Sequence, residues 1–173
     1  DEPWQGPSPD RPGWHKDGWF FRHFLDSPEQ ALLCLMVWRD IGPQSGGTFF
    51  APDSVAPICR ELLAHPEGLH HNHPFGRLVQ ECEDFREMTA GTGDVIILHP
   101  YVLHARSQNP SGRIRFMNNK VVSLQEPMCL NRPDGNYNAL EASILQALDI
   151  ESLDFQITRE RKRSEGFSRM DEE

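Results

Sequence analysis

His15 and Asp17 stand two residues apart near the start of the chain, His104 follows far downstream, and Arg113 and Arg115 come shortly after it. Two imidazoles and one carboxylate can take one face of an octahedral metal and leave the opposite face open. That arrangement suits Fe(II) that must bind a co-substrate and O2 together. A guanidinium is planar and offers paired donors, so an arginine grips a dicarboxylate better than a lysine would. The ordered set points to an iron- and 2-oxoglutarate-dependent oxygenase.

These side chains need a scaffold that brings distant segments together, and the chain reads as many short strands separated by turns. Trp14 to Phe24 interleaves aromatic and polar residues as a strand would. Ala31 to Trp38 is almost continuously apolar, as in a strand covered on both sides. Thr48 to Ala51, Phe85 to Thr89, Val95 to Leu98 and Arg113 to Leu124 read as further strands, the third of these launched by the turn Gly91-Thr92-Gly93-Asp94. In an extended strand, residues two apart share a face. His15 and Asp17 then point one way with Lys16 turned away, and Arg113 shares a face with Arg115. Two helices are expected. One covers Val55 to Ala64, capped by Asp53 or Ser54, with Pro57 in its first turn. The other covers Tyr137 to Leu148, outside the sheet, with Leu140, Ile144 and Leu148 on one stripe. Pro66 to Gly76 is a loop. A mainly β sandwich or barrel follows.

At 173 residues, with 38% hydrophobic and 25% charged side chains, the chain suits one globular domain over 1–173. The net charge of −9 argues against a nucleic-acid surface, and no stretch has the apolar length of a membrane span. The basic run Arg159 to Arg163 reads as a solvated tail or helix face. Cys34, Cys59, Cys82 and Cys129 are widely spread with no Cys-x-x-Cys pair, which suggests buried free thiols and a cytoplasmic enzyme.

The block Pro12-Gly13-Trp14-His15-Lys16-Asp17 resembles the first metal motif of the phytanoyl-CoA dioxygenase-like oxygenases. So does Gly93-Asp94 running through His99-Pro100 to Leu103-His104-Ala105, then Ser107, Asn109 and Arg115. Ser45-Gly46-Gly47-Thr48 to Pro52-Asp53-Ser54 is similar to the stretch between the two motifs. The resemblance spans roughly residues 12–125, with 126–173 a C-terminal helix and charged tail. It implies a double-stranded β-helix, a jelly-roll or cupin-like barrel with a few flanking helices.

Carried over residue by residue, it implies that His15, Asp17 and His104 ligate Fe(2+). Arg115 pairs with the distal carboxylate of 2-oxoglutarate, and Arg113 is the alternative. Oxidation of an unactivated C–H bond of a small molecule, usually hydroxylation, would release succinate and CO2. The substrate would be a metabolite or a biosynthetic intermediate. Related halogenases lack the carboxylate ligand, so Asp17 disfavours halogenation. Family members usually carry a substantial region before the first motif, whereas only 14 residues precede His15 here. The usual N-terminal part is therefore lacking from this sequence, or the barrel is completed in another way. The alternatives are a metal-binding barrel without turnover and a cupin-like metalloenzyme that does not use 2-oxoglutarate.

Several residues compete for roles. His104 is preferred to His99, which precedes Pro100 and fits a turn. His70, His71 and His73 sit on a loop and suit a surface better than a second metal. Arg106, two past His104, is a candidate for an acidic group of the substrate. Trp14, beside the first ligand, is a candidate wall of the pocket.

Overall fold

The computed structural model describes residues 3–161. In chain order its elements are β1 (Leu32–Val37), β2 (Thr48–Ala51), α1 (Val55–Leu63), β3 (Arg86–Glu87), β4 (Val95–Leu98), β5 (Leu103–Arg106), β6 (Met117–Val122) and α2 (Ala139–Leu148). Short 3-10 turns precede α1 at Pro52–Ser54 and fill Phe75–Glu81, the second within a stretch not expected to be helical. The mainly β reading holds. The strands form two antiparallel three-stranded sheets, ordered β4-β1-β6 and β3-β2-β5.

Side-chain alternation explains how the sheets stack. On β1, Leu33, Leu35 and Val37 are buried while Leu32, Cys34 and Met36 are only half-buried, so one face is core and the other is not. The expectation of a strand covered on both sides is corrected accordingly. The inward β1 residues meet Leu98, Met88 and Ile41, with Phe50, Ile96, Met117 and Val121 packed around them. Residues of both sheets thus share this smaller core. The other face of the second sheet, Phe49 and Ala51 of β2 with Leu103 and Ala105 of β5, enters the larger core with Ile58 and Leu62 of α1 and Ile144 and Leu145 of α2. Burying each of these aliphatic side chains contributes about 1.5–3 kcal/mol. The layers are therefore sheet, sheet, helices, and the even positions of β5, His104 and Arg106, face the first sheet.

α1 begins where expected, but neither expected cap serves it. The Asp53 carboxylate accepts instead from the backbone N–H groups of Glu83 and Asp84, at 2.7 and 3.1 Å. The buried Ser54 hydroxyl donates to the Ala51 carbonyl at 2.6 Å and accepts from Leu103 N–H at 2.7 Å, tying the start of α1 to β5. α2 starts two residues later than expected, at a capping box formed by Asn138 and Glu141, and packs against α1.

Two strand expectations fail. Trp14 to Phe24 is irregular and pairs only through single bridges, His15 with His104 and His23 with Leu69. The backbone turns at Gly18, whose φ of +123° is open only to glycine, and a Cβ there would lie 2.5 Å from the His23 ring. The last strand starts only at Met117, after both arginines, because a turn ending at Gly112 intervenes. All four cysteines are free, with Cys59 and Cys82 buried, Cys34 half-buried and Cys129 exposed. Within the basic run, Arg161 is ion-paired with Asp26 and lies over the Phe24 ring, so it is no solvated tail residue. Lys162 and Arg163 fall outside the described residues. No helix of the described residues is long and apolar enough to cross a membrane.

Replacing Ser54 by Ala strands the Leu103 N–H and should cost about 1–3 kcal/mol in a urea titration; a loss under about 0.5 kcal/mol would contradict this bond's role. Burial, seconded by the charge of Lys16, pushes His23 down to about 2 and His99 down to about 4. Unfolded, both titrate near 6.5, so below that pH the unfolded chain takes up protons that the folded chain refuses. Stability should fall as pH is lowered from about 6.5 towards 4, with His23 alone contributing a slope of about 1.4 kcal/mol per pH unit. Urea midpoints that stay level between pH 6.5 and 5 would exclude it.

Candidate metal centre

His104 is fixed first. It lies inside β5, opposite Phe50 of β2, and on its other edge exchanges two backbone hydrogen bonds of 3.0 Å with His15. Directly opposed residues of an antiparallel pair project to the same side, so the two imidazoles come together, with ring centroids 4.3 Å apart. The approach of the chain to His15 is equally constrained. A Cβ on Gly76 would stand 2.0 Å from the Trp14 carbonyl oxygen, so only glycine lets the 3-10 turn lie against this segment.

Each ring is held by the nitrogen that faces away from its neighbour. His15 Nδ1 lies 2.8 Å from the Gly13 carbonyl, and His104 Nδ1 lies 3.0 Å from the Val102 carbonyl. A carbonyl only accepts, so both Nδ1 atoms carry the proton and both Nε2 atoms present a lone pair. Asp17 Oδ1 sits 3.5 Å from each Nε2, and the three ligand atoms lie within 4.8 Å of one another. Burial favours the neutral acid at Asp17, but the two imidazoles beside it and the bond from Asn119 prevail and hold its carboxyl far below the usual range. The Asp17 contact raises His15 above its ordinary value, against a smaller opposing effect of burial.

The donor set fits a divalent first-row metal: two neutral imidazole nitrogens and one ionised carboxylate oxygen, converging and backed by outer hydrogen bonds. Exposure decides where the centre is open. The side chain of His15 is 51% exposed, against 22% for Asp17 and 9% for His104, so access lies on the His15 side.

Asn119 is the residue that sequence reasoning missed. It donates from Nδ2 to Asp17 Oδ2 at 3.1 Å, reaching across from β6 of the other sheet. Its signal was present: Met117, Asn119 and Val121 share the inward face, and the amide is the one polar group among apolar neighbours.

The arginines lie at one end of the second sheet. Arg106 pairs in register with Thr48, and Arg115 donates from Nη1 to the carbonyl of Gly46, two residues before it, at 2.8 Å. Burial lowers Arg115 from its ordinary value, and the nearby charge of Arg106 lowers it further. Arg113 is exposed, and its carbonyl accepts from Asn109 at 2.7 Å. Since neither arginine lies in a strand, the shared-face argument for the pair does not hold.

Trp14 is turned into the larger core, its ring 5.6 Å from Phe85 and its N–H on the Ser8 carbonyl at 2.9 Å. It is not brought to the histidine pair. His99 remains in its turn, where Nδ1 accepts from Tyr101 N–H at 3.1 Å. His70 and His71 stack on each other at 3.9 Å, while His73 bonds Glu61 at 2.9 Å. Among the described residues, His15, Asp17 and His104 form the one cluster with metal-ligand spacing.

A family model for phytanoyl-CoA dioxygenase (PhyH) matches residues 4–117, which takes in both histidines, Asp17 and all three arginines. The chain belongs to the phytanoyl-CoA dioxygenase family. That family has a cupin-like fold, and membership implies a dioxygenase of the Fe(II)- and 2-oxoglutarate type. Comparison with curated proteins and with solved structures gave no match.

In a calorimetric titration with Fe(II) or Co(II), His104→Ala and Asp17→Ala should abolish metal binding. Asn119→Ala, which removes only a bond to a ligand, should weaken it about 10- to 100-fold. Unchanged affinity in His104→Ala would place the metal elsewhere.

Proposed function

We propose that the protein is an Fe(II)- and 2-oxoglutarate-dependent oxygenase that hydroxylates an unactivated C–H bond of a small molecule, releasing succinate and CO2. The observation that carries this reading is the convergence of His15 Nε2, His104 Nε2 and Asp17 Oδ1, with both Nδ1 protons committed to backbone carbonyls. These three residues would hold the iron, which supplies the oxidising chemistry together with O2 and 2-oxoglutarate. On this reading the two sheets are facing walls of a double-stranded β-helix, with the ligands between them.

The protein's own side chains prepare the site. The Gly13 and Val102 carbonyls fix the tautomer of each imidazole, so neither ring must reorganise to offer its lone pair. Asn119 occupies the second oxygen of Asp17 and leaves the first for the metal. Arg115 takes the distal carboxylate of 2-oxoglutarate. The Gly46 carbonyl occupies one of its donors and steadies the guanidinium for a charge-assisted pair. Arg113 is the second choice. Arg106 projects from β5 on the side of His104, two residues along, and takes an acidic group of the substrate at the mouth of the site. The exposed flank of His15 is where a small molecule enters.

Anaerobic addition of Fe(II) and then 2-oxoglutarate should produce the weak visible charge-transfer band of a chelated keto acid. Arg115→Ala should keep the metal and weaken 2-oxoglutarate binding by at least about thirtyfold, the equivalent of about 2 kcal/mol for a lost charge pair. Arg113→Ala should leave the band in place. Loss of the band in Arg113→Ala alone would move the anchor to that residue. Iron binding without any band in the wild type would exclude 2-oxoglutarate dependence.

A further inference from the structure

Between the first two candidate ligands lies Lys16, whose backbone position turns it away from them. Its side chain does not run out into solvent. It folds beneath the ligand segment, where Nζ lies 3.0 Å from the Asp17 carbonyl oxygen and 3.0 Å from His23 Nδ1. Three aromatic rings close round the same atom, Phe21 at 5.4 Å, Phe75 at 5.5 Å and Tyr101 at 5.4 Å to their centroids.

Each wall of this cage is itself fixed. The His23 ring bonds the His71 backbone through one nitrogen, which leaves Nδ1 to accept from the amine. The backbone of His23 exchanges bonds of 2.9 and 2.8 Å with Leu69. Tyr101 is anchored through its hydroxyl to the Leu25 carbonyl at 2.6 Å. The turn at Gly18 brings Phe21 and His23 back over the lysine, with no room for a Cβ between them. By contrast, the segment carrying Asp17 has no strand to hold it. Among the described residues its backbone is paired to the sheet at His15 alone, and beyond that point the Lys16 amine joins the Asp17 peptide to the His23 ring.

We propose that Lys16 is a positioning residue of the metal centre: its amine clamps the Asp17 peptide to His23 inside the aromatic cage and so aims the Asp17 carboxylate at the histidine pair. The inference rests on the reading of His15, Asp17 and His104 as metal ligands. The amine does this in either protonation state, since both carry donor hydrogens. The aromatic rings add a cation–π attraction when the amine is protonated. Methionine matches the apolar stem of lysine as far as Cε and lacks the nitrogen and its donors, so Lys16→Met keeps most of the cage filled and removes the clamp.

The test is a Co(II) titration of the folded protein, read by the ligand-field absorption of the bound ion. Wild-type protein should bind Co(II) with bands set by its two nitrogens and one oxygen. Lys16→Met should bind about tenfold or more weakly, and at saturation its bands should differ from the wild type in position or intensity. A residue that merely packs would lower the thermal midpoint and leave the saturated spectrum unchanged, and that result overturns the proposal. If Lys16→Met does not fold, His23→Phe decides. It removes one acceptor of the clamp, and its saturated bands should move in a folded protein, whereas a wild-type spectrum there overturns the proposal. A wild type that takes up no Co(II) overturns the metal reading, and this inference with it.

Discussion

The paired backbone hydrogen bonds between His15 and His104 are the contact on which the candidate centre depends. Nothing regular surrounds His15: the chain before it is irregular, and the chain after it turns at Gly18. The bridge makes an isolated residue behave as part of β5, and antiparallel geometry then forces both imidazoles to one side. Residues 89 positions apart become neighbours because of two amide–carbonyl bonds. Ordering so long a loop costs chain entropy that grows only slowly with its length. The larger core offsets that cost, since Trp14 and Leu103, next to the two histidines, are both buried in it.

The division of labour between the sheets follows from this. The second sheet carries His104 and Arg106 on the face turned toward the first, and its opposite face is sealed by α1 and α2. The first sheet contributes one polar side chain to the same space, Asn119, which completes the partners of Asp17. Three segments from three parts of the chain therefore meet at one carboxylate. An ionised Asp17 is tolerated there because the Asn119 amide donates to one oxygen and the imidazoles flank the other, which offsets the penalty of partial burial. The arrangement is preorganised: tautomers, carboxylate and backbone are set without the ion.

Charge is distributed along the same logic. Two arginines are held near each other at one end of the second sheet, and neither has a carboxylate within ion-pair distance among the described residues. Several cations elsewhere are paired, as Arg132 is with buried Glu141, Arg77 with Glu61 and Arg161 with Asp26. A pair of like charges kept together raises the energy of the empty protein and favours an anion beside them. This complements the keto-dicarboxylate chemistry that family membership implies.

By itself the sequence determined the candidate ligand types, their order and much of the strand pattern. Thr48–Ala51 and Val95–Leu98 alternate or run apolar between turn residues, and α1 carries an apolar stripe, so local side-chain chemistry was enough for them. The family motif was legible for the same reason, because metal ligation restricts residue identity. Only the tertiary structure decided the rest. The segment after Trp14 looked like a strand because aromatic and polar residues alternate, yet its Phe21 joins Phe75 and Tyr101 in a cage round Lys16 rather than lining a sheet. Asn119 and His23 gained their roles from contacts over 102 and seven positions, which local periodicity does not encode. Parity put Arg113 and Arg115 on one face, whereas in the structure the strand begins beyond both and the Arg115 guanidinium alone meets the Gly46 carbonyl. The physical reason is common to these cases. Composition and period fix which faces must be buried, while the partner of a polar group depends on which distant backbone the packed core brings within about 3 Å of it.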